Sequence, residues 1–506
     1  MRAGVALAAA ALAAMLGHGA AAQPAARPAP GANTGANTGA TSGATPSAAS
    51  GDARLPADAT THHVLDLPGR SLHFTAVAGT LRPTDAGGKE QAQLAFVSYT
   101  LDGADPHTRP VMFATNGGPG SASAWLHLGT MGPWRVRMAG DDRSPSAPPV
   151  VVDNAETWLD FTDLVFLDPA GTGWSRLADD TEPLRKHVWS VNGDVEVLAD
   201  TIRRWLVASG RMAAPKYFTG ESYGGLRGPR LAQILADQQG IGLSGLVLIS
   251  PLLDPSLRSN SFDPVSFATH LPSMAAVAHG LQPDALPAIE AYAMGEFMAD
   301  LLLGQADTAA VDRLSARVAG LTGLDPALVR QHNGRVTVGR FLRSHEPGKV
   351  ASIYDGTLVM PTPFPEYPWP NAPDPVLTQF GPLVASAMMD LVTTRLNWHP
   401  DGRYQLGNGR ALREWDWGNG FGRPESMTAL RTLLAADPSF HVLIGQGMYD
   451  LITPYFANKL LLSQLPTADF AARTRLVLHE GGHMFYTRDA SRVALHDEAR
   501  ALVTGR

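Results

Sequence analysis

The stretch His479–Tyr486, HEGGHMFY, fits two incompatible chemistries. Read as H-E-x-x-H, it offers two histidines one helical turn apart, the spacing that grips zinc beside a glutamate base. Read as a Gly-Gly turn followed by histidine, it offers the general base of a serine hydrolase. The flanking residues favour the second. TRLVL in front of it reads as a strand, and Gly481 with Gly482 would cost a helix interior about 2 kcal/mol relative to alanines. The expectation is that His483 is a base at a strand-to-loop turn, that His479 closes the strand, and that no metal is held.

A base implies a nucleophile. The chain contains no Cys, which excludes thiol nucleophiles and thiolate metal sites. TGESYGGLRG, Thr219 to Gly228, centres Ser222 in G-x-S-x-G. That motif places a serine on a strained strand-to-helix turn, where larger residues two positions away would meet the adjoining strand and helix. With 51 glycines in the chain the pattern alone is weak. Its context is stronger, because KYFTG before it reads as strand and LRGPRLAQIL after it as helix.

The imidazole in turn needs an orienting carboxylate. Asp450, in IGQGMYDLITP, follows the strand-like SFHVLIGQG and precedes His483. Asp254, after LVLISPLL, is the rival. Position favours Asp450, since the acid normally comes from the strand next to the histidine's.

The elements that must position these groups are legible as patterns. SLHFTAVAGTL, AQLAFVSYTLDG, RPVMFATNGG, DLVFLDPAGTG, LSGLVLIS and SFHVLIGQG read as strands. Val195 to Ser209 has apolar residues at helical spacing, and LAQILADQQ reads as a second helix. Strands alternating with helices predict an α/β fold, a mainly parallel sheet covered on both faces. Between about Pro255 and Pro438 the alternation gives way to a helix-leaning region containing PTPFPEYPWP. The pattern then resumes, as expected for one core carrying a largely helical inserted cap.

The boundaries follow from composition. Residues 1–22 have a positive start, an Ala-rich apolar run and a small-x-small site, which predicts a cleaved signal peptide and an exported protein, periplasmic or secreted. Residues 23–58 are rich in Ala, Gly, Pro, Thr and Ser and predict a disordered linker. The core is expected over 59–254 and 438–506, with the cap at 255–437. The formal net charge of −7 argues against a nucleic-acid partner, and no segment after the leader has an unbroken apolar run for a membrane span.

Together these motifs resemble the serine carboxypeptidase family, which has the α/β-hydrolase fold. G-E-S-Y-G-G at Gly220–Gly225 is similar to its nucleophile motif and N-G-G-P-G-S at Asn116–Ser121 to its oxyanion loop. LDPAGTGWS, DLITP and G-H-M at Gly482–Met484 follow in family order. The resemblance covers the core and not the insertion, and NGGPGSASAWLHLG looks more like bacterial members. It implies that the backbone amides of Gly118 and Tyr223 form the oxyanion hole, and that Asn116 and Glu221 bind the free carboxylate of a peptide. It implies no cofactor. A glutamate beside the nucleophile suits an anionic substrate if one proton is shared between the two carboxyl groups, which predicts better turnover in mild acid. Three departures stand out. Ser121 replaces a common Cys, Thr130 stands where many relatives place another carboxylate-binding Glu, and Gln446 stands where relatives often have Asp.

The expected function is an exported hydrolase that releases C-terminal residues from peptides through Ser222, His483 and Asp450. An esterase or acyltransferase using the same three residues is the alternative, and a non-catalytic binding protein is a third reading.

Overall fold

The computed structural model describes residues 54–138, 144–257, 262–363, 373–418 and 424–505. The leader, the linker as far as residue 53 and most of PTPFPEYPWP lie outside the described residues. Residues 54–58, expected in the linker, pack on the core: Leu55 is buried, and the Asp58 carboxylate accepts from the Thr80 amide at 3.0 Å.

A mixed ten-stranded sheet organises the chain. Its main strands are β1 (Ala59–Leu67), β2 (Arg70–Leu81), β3 (Ala92–Leu101), β4 (Val111–Thr115), β5 (Asp163–Leu167), β6 (Lys216–Glu221), β7 (Gly245–Ile249), β8 (His441–Gly447) and β9 (Thr474–His479). They lie in the order β1-β2-β3-β5-β4-β6-β7-β8-β9, and the two-residue strand Arg176–Leu177 pairs with β3 off that path. β1, β2, β3 and β5 pair antiparallel, whereas every pairing from β5 through β4 to β9 is parallel.

The central parallel strands β4, β5 and β7 are nearly continuous apolar runs because both faces are covered. In β4, Met112 and Ala114 join one core layer and Val111 and Phe113 the other. On the second face lie helices α1 (Val191–Ala208) and α2 (Gly224–Gln239), contributing Leu198, Ile202, Leu231 and Leu235. Ser190 caps α1, its hydroxyl accepting from the Gly193 amide at 3.0 Å.

The region between β7 and β8 has two parts. Helix α3 (Pro264–His279) and the helices that follow as far as Ser344 form a separate core around Phe267, Leu271, Leu314 and Phe341. That core closes on Met448, Tyr449, Tyr455 and Phe456, just after β8. Helix α4 (Pro375–Asp390) behaves differently: Val376, Phe380, Leu383 and Val384 merge with the layer that holds Phe74 and Tyr99 of the sheet. With its continuation to Arg395, α4 is long and apolar enough to cross a membrane, which composition alone did not suggest, but half of it is buried inside the protein.

Candidate active site

β6 ends at Glu221 and α2 begins at Gly224, leaving Ser222 and Tyr223 to make the turn. Ser222 has φ +60°, a left-handed conformation that is costly outside glycine and persists only when its surroundings impose it. Backbone hydrogen bonds do so here. The Ser222 amide donates to the Ile249 carbonyl at 3.0 Å, and its own carbonyl accepts from the amides of Gly225 and Leu252, both at 2.8 Å.

The glycines around the turn are needed for different reasons. A Cβ on Gly220 would fall 2.7 Å from the Gly224 carbonyl oxygen, and one on Gly225 would fall 2.3 Å from Pro251 Cβ. At Gly224 the nearest atom would be 3.7 Å away, so the second glycine of G-x-S-x-G is not sterically required. The crowded position on the helix side is the next one, Gly225.

The loop after β4 packs directly on this turn. A Cβ on Gly117 would sit 2.4 Å from both the Glu221 carbonyl oxygen and the Tyr223 nitrogen. Among the described residues, neither the Gly118 nor the Tyr223 amide donates to a protein acceptor. Buried Arg227 ties the loop to α2. It pairs with Asp194 through Nε at 2.7 Å and Nη2 at 3.2 Å, and its Nη1 donates to the Asn116 carbonyl at 2.6 Å.

His483 follows β9 and Asp450 follows β8, parallel neighbours, so two loops 33 residues apart in sequence meet. The Nδ1 of His483 lies 2.7 Å from Asp450 Oδ2, and both side chains are buried. That contact assigns the ring proton to Nδ1 and leaves Nε2 the basic nitrogen. Asp450 is itself held: Oδ1 accepts from the amides of Ile452 and Thr453, and Oδ2 accepts from the Thr453 hydroxyl at 2.7 Å and from Gln446 Nε2 at 3.2 Å. Ser250 fixes the histidine loop by donating its hydroxyl to the His483 carbonyl at 2.7 Å.

Glu221 is buried beneath the turn. Tyr486 donates its phenol hydroxyl to Glu221 Oε2 at 2.7 Å, and the Asn116 side chain also hydrogen-bonds to this carboxyl. Burial pushes the Glu221 carboxyl up to about 7, against the opposing pull of His483, Tyr486 and Asn116.

Asn116, Gly118, Glu221, Ser222 and His483 all border one cavity of about 700 Å³. Its remaining wall is mainly apolar, including Trp125, Leu252, Tyr354, Leu377, Leu406 and Met484, and among the described residues no Lys or Arg lines it. Leu377 comes from α4, so the insertion contributes part of the wall. Asp374 also reaches the cavity, but its oxygens accept from Ser352 and from the amides of Ile353 and Val376, as expected of the residue capping α4.

The rival residues lie elsewhere. Asp254 caps a local turn by accepting from the Ser256 amide at 2.7 Å. His479 ends β9, stacks on Phe485 with ring centroids 4.4 Å apart, and places Nε2 3.3 Å from Glu498. Among the described residues no group of three His, Asp or Glu side chains is arranged to hold a metal. Of the three departures, Thr130 is fully buried away from the cavity wall, Gln446 supports Asp450, and Ser121 borders the cavity.

Three contributors escaped the sequence reading: Tyr486 beneath Glu221, Thr453 beside Asp450, and Arg227 behind Asn116. All stand within stretches singled out for other residues, HEGGHMFY, DLITP and TGESYGGLRG, but no local pattern says what their side chains meet.

A serine on a sharp strand-to-helix turn, in a sheet of this order, defines an α/β-hydrolase. Residues 68–282 match the model of the serine carboxypeptidase family. It is 29% identical over 183 residues to serine carboxypeptidase-like 2 of Arabidopsis thaliana, covering 35% of this chain and 40% of that protein. It is 24% identical over 209 residues to pheromone-processing carboxypeptidase KEX1 of Saccharomyces cerevisiae, covering 38% of this chain and 27% of that one. The matches thus span well under half of these relatives. In three dimensions the likeness is broader. The crystal structure of KEX1(delta)p, a prohormone-processing carboxypeptidase from Saccharomyces cerevisiae, superposes with a TM-score of 0.54 at 14% identity, covering 86% of this chain and 91% of that one.

Proposed function

We propose that this protein is an exported serine carboxypeptidase that releases C-terminal residues from peptides through an acyl-enzyme. His483 Nε2 takes the proton of the Ser222 hydroxyl as its oxygen attacks the scissile carbonyl, while Asp450 stabilises the imidazolium that forms. The amides of Gly118 and Tyr223 receive the developing oxyanion. Collapse of the tetrahedral intermediate breaks the C–N bond, and His483 returns its proton to the leaving amine. Water, deprotonated by the same nitrogen, then attacks the ester and frees Ser222.

The observation that carries this reading is Glu221 beside Asn116 at the edge of the same cavity as Ser222. In its neutral form Glu221 can donate to a free carboxylate, and Asn116 adds a second polar group, so a peptide with a free C-terminus suits the site.

The mainly apolar cavity wall also suits a second reading, an esterase or acyltransferase using the same three residues. One comparison separates the two: a blocked dipeptide acid, its amide and its ester, each with and without a chelator. Cleavage of the acid in preference to the amide, indifferent to chelation, is the expected result. Turnover of the ester alone would favour the second reading. Fluorophosphonate labelling that disappears in Ser222→Ala would identify the nucleophile and remove the non-catalytic reading.

A further inference from the structure

We infer that Tyr486 is a positioning residue for Glu221, holding that carboxyl so that its acid proton is directed to an anionic group of the substrate. The inference rests on the peptidase reading above and names the part of the site that selects for a free carboxylate.

The geometry has three parts. Tyr486 is fully buried, and its hydroxyl donates to Glu221 Oε2 at 2.7 Å. Asn116, whose backbone carbonyl accepts from Arg227, hydrogen-bonds through its side chain to the same carboxyl. Asn116 Oδ1 is already engaged, accepting from the Leu126 amide at 3.0 Å, so its amide nitrogen is the group left to face Glu221. Both protein partners of Glu221 are therefore donors. A neutral Glu221 spends its own O–H on neither, and the cavity is the place that proton can go. If the phenol were turned to accept instead, the proton would be used inside the protein.

The phenol is also placed with little room to move. A Cβ on Gly129 would come 2.5 Å from the Tyr486 ring, so the segment His127–Met131 passes against the ring because residue 129 has no side chain. The other titratable groups facing Glu221 are His483, whose charge favours the carboxylate, and Asp450, whose charge opposes it. Behind Asn116 stands the Arg227–Asp194 pair. None of these occupies the position of the Tyr486 hydroxyl.

Tyr486→Phe removes only the donor. The quantity to measure is the ratio of kcat/KM for a blocked dipeptide acid to that for its amide, as a function of pH. The expected result is a fall in this ratio of about tenfold, the factor that one hydrogen bond to a charged group is worth. The loss should fall on KM more than kcat, and the alkaline limb for the acid substrate should move to higher pH, because a donor that stabilised the carboxylate is gone. Gly129→Ala, which displaces the ring but keeps the hydroxyl, should reduce the ratio in the same way. An unchanged ratio and unchanged limb in either folded variant would overturn the inference. If instead the wild-type protein shows no preference for the acid over the amide, it is the peptidase reading that fails. Thermal unfolding separates both outcomes from general damage.

Discussion

Asp450 and His483 meet at 2.7 Å although they belong to different loops, and no hydrogen bond of Asp450 is wasted on solvent. Two backbone amides, a hydroxyl and a side-chain amide converge on its two oxygens. Such a set fixes the direction in which the carboxylate faces the imidazole. Asp450→Asn should keep the fold but allow the opposite imidazole tautomer, with kcat falling roughly 10³- to 10⁴-fold. Steady-state hydrolysis, with circular dichroism as the check on folding, would measure this. A loss below tenfold would mean that another group orients His483.

The Glu221 carboxyl, pushed up to about 7 by burial, gives the protein a pH signature with a definite sign. Below that value the group is neutral and can donate to a substrate carboxylate. Above it, two anions face each other, so turnover of peptide acids should decline as pH rises through 7. The same shift acts on stability. Between the ordinary 4.5 and about 7 the folded protein holds a proton that the unfolded chain releases, so this contribution shrinks as pH rises across that window. Glu221→Gln should flatten both trends, measured by pH–rate profiles and by thermal unfolding at several pH values.

The two glycines after Tyr223 should respond oppositely to alanine. At Gly225 the new methyl would lie 2.3 Å from Pro251 Cβ and 2.8 Å from the Leu252 amide, neither of which can swing away. Gly225→Ala should cost about 1–3 kcal/mol, the usual penalty of overpacking, and slow fluorophosphonate labelling by distorting the turn. At Gly224 the methyl would find 3.7 Å of room, and alanine is the better helix former, so Gly224→Ala should be neutral or slightly stabilising. Equal penalties at the two sites would contradict the assigned geometry.

What could be read in advance has a physical pattern. Ser222, Asp450 and His483 stand at the ends of short buried strands, and such ends are marked locally by an apolar run breaking into Gly or Pro. The sheet was legible for the same reason, since β4, β5, β7 and β8 each carry a run of at least three consecutive apolar residues. The supports were not. Tyr486 meets Glu221 across 265 residues and Arg227 meets Asn116 across 111, and nothing in either segment encodes the other. The insertion was legible as helical but not as divided. Only packing reveals that α4 joins the main core, because an apolar helix reads the same wherever its face is buried.

His479 tests the choice posed by HEGGHMFY. Its ring stacks on Phe485 and contacts Glu498, both structural tasks. His479→Ala should lower stability by about 1–2 kcal/mol through lost packing, while Ser222 still reacts with a fluorophosphonate and a chelator has no effect on turnover. Metal-dependent activity abolished together with His479 would restore the zinc reading.

Arg227 offers the last test, because it joins stability to selectivity. It is fully buried, pairs with Asp194, donates to the Thr115 hydroxyl at 3.1 Å and the Asn116 carbonyl, and lies 5.0 Å over the Tyr223 ring. One guanidinium thus ties the helix start, the strand end and the Asn116 backbone together. Arg227→Met leaves the Asp194 carboxylate buried without its cation and should cost about 3–5 kcal/mol. Asp194→Asn in the same chain removes that unpaired charge, so the double variant should recover part of the loss in urea unfolding. Asn116 would still lack its anchor, and preference for a peptide acid over its amide should stay reduced in both variants. Recovery of stability together with full selectivity would show that Arg227 serves the core alone, and that the Asn116 loop is held by its remaining hydrogen bonds.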